Sequence, residues 1–84
     1  MRTLRIYVGR ETESDDPVER RRAETESAER GRAAAKLLRA AGFRPVVHDE
    51  APDTLLVETG SGTEQLRAVD TLRRHLGEPI EFVG

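Results

Sequence analysis

"TLLVETG", residues 54–60, repeats "TLRIYVG", residues 3–9. Both stretches alternate apolar and polar side chains with period two, the pattern of a half-buried strand. Leu4, Ile6 and Val8 share one face of the first, with Arg5 and Tyr7 on the other. Leu55 and Val57 share a face of the later one. The likeness continues downstream: "LLRAAGFRPVV" (37–47) is matched by "LRRHLGEPIEFV" (72–83). Each half therefore reads strand, helix, glycine, strand.

The second strand is "FRPVVH" (43–48). Pro45 has no N–H to give to a ladder, which places this strand at a sheet edge. In the fourth strand Ile80 and Phe82 share a face. In the later helix Leu66, Val69, Leu72 and Leu76 fall at helical spacing and form one stripe. Ser61 followed by Glu64 predicts a capping box at its start. Gly77, with Pro79 just beyond, predicts its end. The earlier helix carries Leu37, Leu38 and Ala41 before a stop at Gly42.

The order βαββαβ gives two crossover units with an antiparallel join. The expected fold is α+β, a ferredoxin-like plait. Its four-stranded antiparallel sheet carries two helices on one face, and the first and third strands are central. Residues 1–84 make a single domain.

The halves differ in length. Their strands start 51 residues apart (3 to 54), but their helices stop 35 apart (42 to 77). The first half therefore carries about 16 extra residues, within 10–28, "RETESDDPVERRRAETESA". Asp16 before Pro17 is a helix start. Arg20–Glu24, Arg22–Glu26 and Glu26–Arg30 have i,i+4 spacing. The expectation is a loop over 10–16, then a long first helix whose charged first half projects into solvent. The alternative is a disordered charged loop.

Composition narrows the function. Apolar and charged residues are each 36% of the chain, and the aromatics are Tyr7, Phe43 and Phe82 alone. A core this sparse implies either a solvated segment or completion by self-association. The chain has no cysteine, which excludes disulfides, thiolate metal sites and cysteine nucleophiles, and suits a cytoplasmic protein. Nothing in it is long and apolar enough to span a bilayer, so no membrane partner is expected. Net charge is −2, with thirteen Arg and one Lys, which gives no general pull toward nucleic acid.

Candidate sites are few. Gly60, Ser61, Gly62 and Thr63 stand where a strand meets a helix, as in phosphate cradles. The Lys-Ser/Thr pair of a Walker loop is missing, and Glu64 competes with an anion for the helix dipole. The turn reads first as a capping box and second as an anion-binding site. "HDEAPD" (48–53) holds metal-ligand residue types, but it reads as a polar hairpin loop with a proline turn. No metal or cofactor is assigned. Arg20, Arg21 and Arg22 read as a solvated helix face or a contact surface. The uncovered face of the sheet presents Arg5, Tyr7, Leu56, Glu58, Glu81, Val46 and His48. One aromatic is too few for base stacking of the kind RNA-recognition motifs use. A mixed apolar face instead suits a protein partner or a second copy.

"RIYVG" (5–9) followed by "AAAKLLRAAGFRPVV" (33–47) resembles a SPOR domain. The resemblance implies the plait fold. SPOR domains bind peptidoglycan glycan strands, and Arg10–Glu11 stands where that family usually has a Ser-Phe pair. The expected function is a small non-enzymatic module that binds a protein or itself. Its contact residues are Arg5, Tyr7, Val46 and Leu56 on the sheet, and Arg20, Arg21 and Arg22 on the insert.

Overall fold

A computed structural model describes residues 2–10 and 12–84 of the chain. The elements run β1 (Arg2–Tyr7), α1 (Pro17–Ala40), β2 (Pro45–His48), β3 (Ala51–Thr59), α2 (Gly62–His75) and β4 (Glu81–Val83). The sheet order is β2-β3-β1-β4, with every neighbouring pair antiparallel. This is the α+β arrangement of a small ferredoxin-like plait, with β1 and β3 central. Pro45 sits on β2, an edge strand, as its missing donor requires.

The alternation in the strands decides which face is covered. Leu4, Ile6 and Val8 of the β1 segment, with Leu55 and Val57 of β3, are fully buried. Against them pack Ala34, Ala35 and Leu38 of α1 and Ala68, Val69 and Leu72 of α2. Phe43 and Ile80 close the cluster.

Both helices end on a glycine with positive φ, 93° at Gly42 and 78° at Gly77. That left-handed turn is open to glycine at little cost. After the first turn, the Phe43 N–H donates to the Leu38 carbonyl at 2.9 Å, and the ring drops into the core. The start of α1 is set by Asp16, whose Oδ1 accepts the Val18 N–H at 2.9 Å, with Pro17 in the first turn.

The extra residues of the first half divide between the loop after β1 and α1 itself. A helix of 24 residues is about 36 Å long, and the whole molecule measures 42 × 24 × 19 Å. Most side chains over 17–26 are exposed. Glu11 of the insert lies outside the described residues.

Several expectations need correction. Leu66 is 63% exposed. The buried positions of α2 are 68, 69 and 72, with Leu76 packed beside them, and Leu66 lies about 100° round the helix from the middle of that stripe. In α1 the inward face is Ser27, Gly31, Ala34, Ala35 and Leu38, so Leu37 is only half-buried and Ala41 is exposed. Phe82 pairs with Ile6 and so faces the helix side, yet it is 39% exposed, because β4 is a three-residue edge strand. The Arg73 guanidinium lies 5.9 Å from its ring centre.

Residues 51–53 are not loop. They extend β3 past the end of β1, and the turn shrinks to Asp49 and Glu50. Pro52 fits there because β1 pairs only from Thr54 onward. None of the three expected i,i+4 pairs in α1 closes to ion-pair distance. Among the described residues the ion pairs are Arg73–Glu78 and Arg74–Asp70.

Candidate interaction surface

The register brings four of the uncovered side chains into one row. Val46 pairs with Leu56, Leu56 with Arg5, and Arg5 with Val83. The row crosses all four strands. Val46 is 61% and Val83 71% exposed, and Leu56 is half-buried. On one side of this row lie Thr3 and Glu58, and on the other Tyr7, Thr54 and Glu81. Arg5, Glu58 and Glu81 form no ion pair within the chain, among the described residues.

Val83 is a member of this face that the sequence reading overlooked. Its signal was present, since alternation from Phe82 sends both Glu81 and Val83 to the open side.

Tyr7 is half-buried at the end of the face. Its ring lies so close to Gly9 that a Cβ built there would sit 2.9 Å from Cζ. Tyr7 thus also borders a cleft of about 700 Å³ at the end of the sheet. Arg10, Arg20, Glu24, Ser27 and Asp53 line the same cleft. Ser27 is buried, and its hydroxyl holds the loop to α1 by accepting the Arg10 N–H at 2.9 Å. Of the three insert arginines, only Arg20 joins Tyr7 here. Arg21 and Arg22 line a separate shallow depression with Pro17 and Val18.

The turn at Gly60, Ser61, Gly62 and Thr63 is closed on itself. The Ser61 hydroxyl accepts the Glu64 N–H at 3.3 Å, and the Glu64 carboxylate accepts the Gly60 N–H. An anion at the Gly60 N–H would have to displace that carboxylate. His48 Nδ1 accepts the Glu50 N–H at 3.2 Å. Among the described residues no group of three or more His, Asp or Glu is placed to hold a metal ion. No helix among them is long and apolar enough to cross a membrane.

One side chain was not anticipated at all. Arg30, half-buried on α1, donates from Nε to the Val8 carbonyl at 2.7 Å. From Nη2 it donates to the carbonyls of Gly77 at 2.7 Å and Pro79 at 2.9 Å. It thereby ties α1 to the end of β1 and to the C-terminus of α2, where a cation suits the helix dipole. Burial and the nearby Arg10 lower its pKa, and Glu78 opposes them. The sequence showed only one more arginine at i,i+4 from a glutamate.

Compared with protein-family models, curated proteins and solved structures, the chain matches none of them.

Proposed function

We propose that this chain is a small non-enzymatic interaction module that docks another polypeptide on the open face of its sheet. The observation that carries this reading is the cross-strand row of Val46, Leu56, Arg5 and Val83, apolar except at one position and covered by neither helix. Apolar side chains gathered on an uncovered face mark contact surfaces, and an arginine among them is a typical anchor. The cysteine-free composition supports a cytoplasmic setting. The likeness to SPOR domains enters this reading through the fold, not through their glycan ligand.

Leu56→Glu tests the proposal. It places a carboxylate in the middle of the row without touching the core. Binding to another polypeptide should weaken at least 10-fold, about 1.4 kcal/mol. The far-ultraviolet circular dichroism spectrum should stay unchanged. Unaltered affinity in the folded variant would refute the sheet-face assignment.

A further inference from the structure

The open face has the symmetry to pack on a copy of itself, and we infer that its occupant is a second copy of this chain. The inference rests on the sheet-face reading and adds the partner and the axis. Two sheets stacked face to face by a two-fold have two simple axis directions within the interface plane. An axis across the strands sets Arg5 against the other copy's Arg5, a like-charge contact in a drying interface. An axis along the strands reverses the strand order and keeps the rows. It sets Val46 against Val83, and Arg5 against Leu56, twice each.

In that second arrangement Glu58, next but one to Leu56 on β3, flanks the incoming Arg5. Both groups lack an ion-pair partner within their own chain, among the described residues. The reversed strand order therefore yields apolar pairs at the two flanks and, at the middle, Arg5 over Leu56 with Glu58 beside it. The contact is small. Four strands about 4.8 Å apart and about five residues long cover on the order of 300 Å² per copy. That is below the usual size of a stable interface, so the dimer is weak and dissociates on dilution.

The test uses the full chain and two exposed substitutions, Val46→Lys and Val83→Glu, with light scattering on a sizing column. The wild type should rise with concentration from 9.4 kDa toward twice that mass. Each variant alone buries an unpaired charge twice and should dimerise at least 10-fold more weakly. An equal mixture of the two should form a heterodimer. The lysine introduced on β2 of one copy then meets the glutamate introduced on β4 of the other, while the remaining flank keeps its valines. A wild type that stays at 9.4 kDa at millimolar concentration overturns the dimer, while the Leu56→Glu assay with a heterologous partner still judges the sheet-face reading. Variants that dimerise as the wild type does overturn a dimer through the sheet face, and the Leu56→Glu assay again judges that face against a heterologous partner. A mixture that fails to associate overturns the axis along the strands.

Discussion

Arg30 shows how much of this fold hangs on one side chain. Its guanidinium meets three carbonyls from two segments far apart in sequence, Val8 after β1 and Gly77 and Pro79 after α2. Hydrogen bonds from a charged donor contribute about 1.5–3 kcal/mol where a single one is removed. Arg30→Ala leaves several carbonyls without their donor and should cost about 2–4 kcal/mol. For a domain of this size that lowers the melting temperature by roughly 10–20 °C. Arg30→Lys should recover little, because an ammonium cannot reproduce the planar fork. Calorimetric melts of the two variants check both statements, and full recovery by lysine would show that charge alone matters. The sequence hid this residue because its geometry depends on the end of α2, dozens of positions away.

Gly31 makes the same point for an element. Glycine inside a helix costs about 1 kcal/mol relative to alanine, so on propensity alone Gly31→Ala should stabilise α1. The structure reverses the sign. A Cβ built on Gly31 would lie 1.8 Å from the Pro52 carbonyl oxygen, and that atom is backbone. The helix must shift away from the start of β3, an overpacking cost of about 1–3 kcal/mol or more. Urea denaturation of Gly31→Ala should show a lower midpoint, and a higher one would mean that α1 does not seat on Pro52. The second helix supplies a contrast between two leucines. Leu66→Glu should change stability by less than about 0.5 kcal/mol, since the side chain is exposed. Leu72→Ala should cost about 2–5 kcal/mol, since Leu72 is fully buried. The same melts compare them.

The fold of the whole molecule was legible because its two halves repeat. Period-two strands, capping residues and two stop glycines each pointed to the same plait, and Asp16–Pro17 located the start of the long helix. The helix faces were read less well. Leucines drew attention at 37 and 66, whereas the inward face of α1 is built from Ser27, Gly31, Ala34 and Ala35, small residues that leave no hydrophobic signature. Small side chains there let the helix approach the sheet closely, which is a tertiary fact. The open face was legible from alternation except at Val83. What the sequence left unspecified was the row itself, because strand register follows from pairing that single strands do not encode.

Everything proposed for the molecule's function passes through that row. Its most direct test is a comparison of backbone amide resonances in dilute and concentrated solutions of the labelled protein. Self-association through the sheet face predicts position changes clustered at Arg5, Val46, Leu56, Glu58 and Val83, with α1 residues 17–26 unmoved. Changes confined to Arg20, Arg21 and Arg22, or shared by no residue of the row, would contradict it.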